Sequence, residues 1–206
     1  MIVDPLTLMA FVPAALALNL TPGADMMFCL GLGLRAGPRP AIAASGGIAL
    51  GGMVHVTLAG LGLAAAIAAF PLALDVIRWL GVAYLLWLAW GALRQGPIRA
   101  EGRAMGAGRA FREGMVVNLL NPKVILFVLA FVPQFVDPAR AILPQFLVCG
   151  LVLALGGFVI NGAVGVSAGG LGRRLATSPR LARGLGIASA GIFAALAARL
   201  ALMQRS

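Results

Sequence analysis

The sequence predicts an all-α membrane protein, with six transmembrane helices arranged as two inverted three-helix repeats and helices 1 and 4 broken at proline. Three observations predict it. Hydrophobic residues make up 61% of the chain and charged residues 11%, against about 45–50% and about 25% in an ordinary soluble domain. Charges leave long gaps: none falls within Pro5–Ala24, Pro40–Leu74, Trp79–Leu93, Val124–Val136, Ala141–Gly172 or Gly184–Ala198, and a span needs roughly 20 apolar residues. Finally, a proline twice interrupts an apolar stretch beside an amide and just before an ionisable group, in Asn19-Leu-Thr-Pro-Gly-Ala-Asp25 and in Asn118-Leu-Leu-Asn-Pro-Lys123.

Helix 1 is expected from about Leu6 to Leu34, interrupted near Pro22-Gly23 and closed by the breaker-rich turn Arg35-Ala-Gly-Pro-Arg-Pro40. Helix 2 starts near Ala41 and is dense in small residues, with Gly47-x-x-x-Gly51 spaced for close helix packing, and ends at Phe70-Pro71. It carries His55, the only histidine, as a packing residue or a proton-coupling group. Helix 3 runs from Asp75 or Val76 to Leu93, with Trp79, Tyr84, Trp87 and Trp90 as interface anchors or packing residues.

Residues 94–112 read as a flexible arginine-rich connection facing anionic lipid heads. Helix 4 spans about Phe111 to Val136 around its own proline. Helix 5, about Leu143 to Gly170, has Gly156-Gly157, Asn161 and Gly165-x-x-x-Gly169, echoing helix 2. Helix 6 runs from about Gly184 to Met203. The chain is thus one transmembrane domain over residues 1–206, with repeat 1 at about 1–94, a cytoplasmic linker at about 95–110 and repeat 2 at about 111–206.

Charge orients the bundle. Eleven arginines fall in the connections around residues 35–39, 94–112 and 173–183, four fall on the other side, and Lys123 lies inside a span. Basic residues mark cytoplasmic loops, so both termini are expected outside. The net charge of +10 does not point to nucleic acid, because the arginines are scattered over short connections. Ala15-Leu16-Ala17 resembles a signal-peptide cleavage site, but Asp4 and the lack of Lys or Arg before the apolar run argue for a retained helix. Cys29 and Cys149 are isolated and read as packing residues.

Three helices per half, an odd number, give the halves opposite topology, and broken helices at matching places in inverted repeats are how secondary transporters build a midplane site. Unwinding at Pro22-Gly23 and Pro122 exposes backbone groups that only protein or a water-filled cavity can satisfy. The candidate site therefore gathers Asn19, Thr21, Pro22, Gly23 and Asp25 with Asn118, Asn121, Pro122 and Lys123, joined by His55 and Asn161. Asp25 is placed to bind an ammonium or exchange a proton, and Lys123 to bind a carboxylate. The alternative is that the two charges only neutralise each other as a buried pair. For the amides and Thr21, substrate contact and interhelical hydrogen bonding both stand open. No cofactor or nucleophile motif is evident, so a transporter is expected rather than an enzyme, with a metal or small-solute exporter and a structural membrane subunit as alternatives.

Several motifs together carry a resemblance: Asn19-x-x-Pro22-Gly23-x-Asp25, the Ala36-Gly-Pro38 turn before a glycine-rich helix with Gly51 and His55, Tyr84-Leu-Leu-Trp-Leu88 with Gly91 and Arg94, and Phe111-Arg-Glu-Gly114 leading into Asn118-Leu-Leu-Asn-Pro-Lys123 and Phe131-Val-Pro-Gln-Phe-Val136. The sequence is similar to the lysine exporter superfamily, most of all its homoserine and threonine efflux branch, clearly over about residues 5–140 and in pattern beyond. The resemblance implies an inner-membrane exporter of amino acids or their derivatives, driven by proton antiport and working as a homodimer. Where the family commonly has Pro-Gly-Pro, this chain has Ala24 as the third residue.

Overall fold

A computed structural model describes residues 2–69, 73–94, 105–169 and 178–202. Its elements in order are α1 (Pro5–Leu20), α2 (Ala24–Ala36), α3 (Pro38–Ala69), α4 (Ala73–Arg94), α5 (Ala107–Leu119), α6 (Pro122–Ala130), a 3₁₀ turn (Val132–Phe135), α7 (Ile142–Val166), a second 3₁₀ turn (Ser167–Gly169) and α8 (Pro179–Leu202). Among the described residues the fold is all-helical.

Local chemistry sets the helix ends. Asp4 Oδ1 accepts from the amides of Leu6 (2.8 Å) and Thr7 (3.3 Å) and caps α1, with Pro5 just inside the helix. Pro22 carries no amide proton and cannot continue the helix, so the ladder of α1 closes with Thr21 N donating to Ala17 O (3.0 Å). α2 starts afresh at Ala24 after the extended Gly23 and ends at Gly37, whose φ of 84° needs a residue without a Cβ. Asn121 Oδ1 accepts from Lys123 N (3.1 Å) to cap α6, with Pro122 in its first turn. The chain bends by 52° between α1 and α2 and by 55° between α5 and the α6 segment.

α3 and α7 are each long and apolar enough to cross a membrane, and each bent pair makes one more such span. The remaining two helices contain shorter apolar stretches, Trp79–Arg94 in α4 and Gly186–Ala198 in α8. Both proline breaks thus fall where the sequence put them. One boundary is corrected: the helix expected from about Phe111 starts four residues earlier, at Ala107, so that Arg109, read as part of the connection, belongs to α5. Ala110, Gly114 and Asn118 form a buried stripe at four-residue spacing, while Arg109 pairs with Glu113 (2.6 Å) on the outer face. Phe70-Pro71, residues 95–104, Arg173-Arg174 and the helix 6 end at Met203 lie outside the described residues.

α3 and α7 pack against each other through the centre. α5 lies on α3, α1 and α2 lie on α7, and α4 pairs with α8. One end of the bundle brings together Asp4, Gln134, Asp137 and Gln145, here the Asp4 end. The opposite end, carrying Gly37, is drawn together by glycine. A Cβ on Gly33 would overlap the Gly165 carbonyl oxygen, one on Gly47 the Phe111 carbonyl, and one on Gly114 the Ala44 carbonyl. These α2–α7 and α3–α5 contacts bring backbone against backbone, which small residues allow. A larger cluster fills the Asp4 half, where Phe11 stacks among Phe127, Phe131 and Phe135 with centroids 5.2–6.4 Å away. A smaller one joins Cys29, Leu32, Ala41, Ala44, Ile48 and Ala110 in the other half. Cys29 and Cys149 are both buried and unbonded.

Gly47→Val is expected to lower the unfolding free energy of the detergent-solubilised protein by about 1–3 kcal/mol through overpacking against α5. Gly91→Ala, at a position where a Cβ meets nothing within 4 Å, should hold or raise stability in the same thermal melt.

Candidate functional site

Each proline leaves one carbonyl without its helical donor, because the amide four residues further on does not exist. Those carbonyls are Leu18 O for Pro22 and Asn118 O for Pro122. Lys123 supplies the first: its Nζ donates to Leu18 O (3.0 Å) and to Thr21 O (2.7 Å). His55 Nε2 reaches the second, Asn118 O, at 3.2 Å. A carbonyl only accepts, so this bond requires the proton on Nε2. Asn121 N donates to the same oxygen (2.9 Å) in a tight turn. Each break is therefore satisfied by a side chain from the other half of the chain.

Asp25 and Lys123 are near neighbours, lining one cavity, but they do not form the ion pair that the sequence left open. Asp25 Oδ2 accepts from Asn118 Nδ2 (2.8 Å) instead. This ties the first turn of α2 to the last turn of α5, just as Lys123 ties the first turn of α6 to the end of α1. A carboxylate in the first turn of a helix also faces the positive end of its dipole. Lys123 packs so closely on Gly23 that a Cβ there would stand 3.1 Å from Nζ. Tyr84, from α4, donates to Lys123 O at 2.5 Å.

The two asparagines before the breaks rest on paired glycines. Asn118 lies over Gly51 and Gly52 of α3, where a Cβ on Gly51 would come within 2.9 Å of Oδ1. Asn19 lies over Gly156 and Gly157 of α7, where a Cβ on Gly156 would come within 2.8 Å of Nδ2, and that amide donates to Leu153 O (3.1 Å). Thr21 turns its hydroxyl back to Ala17 O (2.5 Å) and lends the site its carbonyl.

Two small cavities lie between these groups. One of about 20 Å³ is lined by Asn19, Thr21, Gly23, Asp25, Lys123 and Asn161, and one of about 30 Å³ by Asn19, Asp25, Gly52, Asn118 and Asn161 among others. Each has room for about one water. Three buried polar atoms at the breaks, Asp25 Oδ1, Asn118 Oδ1 and Asn121 Nδ2, complete no hydrogen bond, although the Asn121 side chain lies beside the Asp25 carboxylate. The structure thus brings the sequence-expected residues to one place, with Pro22 and Pro122 acting through the backbone they open. Sequence reasoning missed Tyr84 as a support of the second break and Gly51, Gly52, Gly156 and Gly157 as seats for the asparagines. The matching glycine pairs of helices 2 and 5 were the available signal.

Gly51→Ala should displace Asn118 and destabilise the protein by about 1–3 kcal/mol. Gly52→Ala, whose Cβ would stand 3.9 Å from Asn118 Oδ1, should stay within about 0.5 kcal/mol of the parent in the same thermal melt.

Comparison with known proteins bears on this arrangement. The family model described as LysE type translocator matches residues 16–204. The chain is 36% identical to an uncharacterized membrane protein of Vibrio cholerae over 69% of this chain and 71% of that protein. It is 32% identical to a homoserine/homoserine lactone efflux protein of Salmonella typhimurium, over 69% and 70% of the two chains. It is also 32% identical to a leucine efflux protein of an Enterobacter species, over 94% of each. No solved structure matches. With the family model covering nearly the whole chain, this protein belongs to the LysE type translocator family.

Proposed function

We propose that this protein exports amino acids or their derivatives across the bacterial inner membrane in exchange for protons, binding its substrate between the two helix breaks. The observation that carries the reading is the set of orphaned atoms. Asp25 Oδ1 and Asn118 Oδ1 are acceptors, suited to an ammonium group, and Asn121 Nδ2 is a donor, suited to a carboxylate oxygen. An α-amino acid presents both. The family and the efflux proteins named above support the same substrate class.

In this reading Asp25 is the coupling group: its carboxylate holds either the substrate ammonium or a proton. Lys123 keeps one ammonium hydrogen beyond the two carbonyls it satisfies and offers it to the substrate carboxylate. The cavities of about 20 and 30 Å³ are too small for an amino acid, so transport requires the helices to part at the breaks. Asn161 and Asn19, which line both cavities, then meet the substrate as it enters.

The bundle is taken as six spans in one transmembrane domain, with the two bent pairs equivalent under an inverted repeat. Its support is the pairing of like with like: α3 with α7, α4 with α8, and each break bonded to the other. The arginine-rich connections put the Gly37 end in the cytoplasm and the Asp4 end outside. A homodimer in the bilayer is part of the same proposal.

Proteoliposomes loaded with labelled leucine or homoserine should release it faster under an imposed pH gradient. Asp25→Asn should remove that acceleration and slow release at least about tenfold, a loss of about 1.4 kcal/mol or more in the barrier. Gradient-driven release unchanged in Asp25→Asn would refute the coupling role.

A further inference from the structure

The largest cavity lined by the described residues lies outside the breaks. α3 and α4 follow each other in sequence yet barely touch, because α4 packs on α8 and α6 instead. Between them runs a cleft of about 890 Å³, walled by α3 from His55 to Leu63, by α4 from Leu80 to Trp87 and by α6 from Ile125 to Ala130, with Pro133 of the following 3₁₀ turn. Its walls are almost wholly aliphatic and aromatic.

Three features tie this cleft to the site. Its polar lining residues His55 and Tyr84 bond to Asn118 O and Lys123 O, the backbone on either side of the second break. Val124 lines both small polar cavities while its neighbour Ile125 lines the cleft, so the first turn of α6 is the wall between them. The cleft also extends one way only. From His55, mid-way along α3, it runs to Leu63 and Pro133 at the Asp4 end. Towards the Gly37 end α3 packs on α5 instead, with Gly47 against the Phe111 carbonyl.

We propose that this cleft is the release passage, open towards the Asp4 end, and that it accepts amino acids by an apolar side chain once the first turn of α6 moves aside. The inference rests on the amino-acid export proposed above. A substrate whose charged groups meet Asp25, Asn118 and Asn121 has about 50 Å³ at most beside them, the two small cavities taken together. An aliphatic side chain needs more, and the adjoining space that offers it is apolar. A purely polar amino acid gains nothing from such walls, whereas each buried methylene of an aliphatic one contributes about 0.8 kcal/mol. The passage therefore sets specificity, with Ala59, Gly62 and Ala83 as the small lining residues that leave it wide.

The test uses protein with Cys29→Ser and Cys149→Ser. Single cysteines at Ala83 and at Leu155, which is exposed on α7 away from the cleft, are exposed to a charged, membrane-impermeant thiol reagent from each side. Ala83→Cys is expected to react at least about tenfold faster than Leu155→Cys from the Asp4 side, and leucine should slow it. Ala83→Phe should lower the ratio of leucine to alanine efflux about tenfold. Equal, slow labelling of the two cysteines would mean that lipid or a second copy of the chain fills the cleft and would overturn the proposal, as would an unchanged efflux ratio in Ala83→Phe. If the parent exports neither amino acid, the export reading fails instead, and the labelling still decides whether the cleft is an aqueous passage.

Discussion

Two carbonyl oxygens organise this molecule. Pro22 and Pro122 deprive Leu18 O and Asn118 O of their helical donors, and an unsatisfied backbone group at membrane depth costs several kcal/mol. The chain answers with side chains from the opposite half, Lys123 for the first and His55 for the second. Each break depends on the other half for its stability. The end of α1 cannot leave Lys123 without exposing Leu18 O, whereas Asn118 O keeps the amide of Asn121 when His55 withdraws.

The same exchange places the chemistry. Lys123 reaches the end of α1 because it sits in the first turn of α6, and Asp25 reaches Asn118 because it sits in the first turn of α2. Glycine pairs on α3 and α7 let Asn118 and Asn19 lie flat against those helices. The outcome is an acid, a base and four amides around cavities no larger than a water, closed at the Gly37 end by backbone contact and bordered on the other side by an apolar cleft. Such a closed polar site with a nearby one-sided space is what a transporter needs if its site faces one side of the membrane at a time.

Much of this was legible in the sequence because proline and ionisable residues are expensive in apolar helices and so mark positions sharply. Both breaks, the glycine-dense α3 and α7, and the gathering of Asp25, Asn118, Asn121 and Lys123 follow from that cost alone. What the sequence hid is direction. A salt pair of Asp25 and Lys123 stood as the alternative to separate binding roles because opposite charges in one site attract, but the carbonyls at the Pro22 break compete for Lys123 and hold it. His55 could be read as packing or as proton coupling until its contact with a proline-orphaned carbonyl gave it a structural task. The first turn of α5 was missed because Gly108 and Arg109 look like linker, while the buried stripe of Ala110, Gly114 and Asn118 that makes this turn helical shows only against α3. Tyr84 read only as an interface anchor or packing residue, since its bond to the second break comes from an α4 that leans away from α3 onto α6.

The central claim is that Lys123 stands in for the amide proton that Pro22 lacks. Restoring that proton should make Lys123 less necessary. The decisive measurement is a double-mutant cycle of thermal stability in detergent with Pro22→Ala, Lys123→Met and the pair combined. The account predicts that the double variant is more stable than the sum of the single effects allows, by at least about 1 kcal/mol, because an alanine amide at position 22 can bond Leu18 O itself. Additive losses would contradict it.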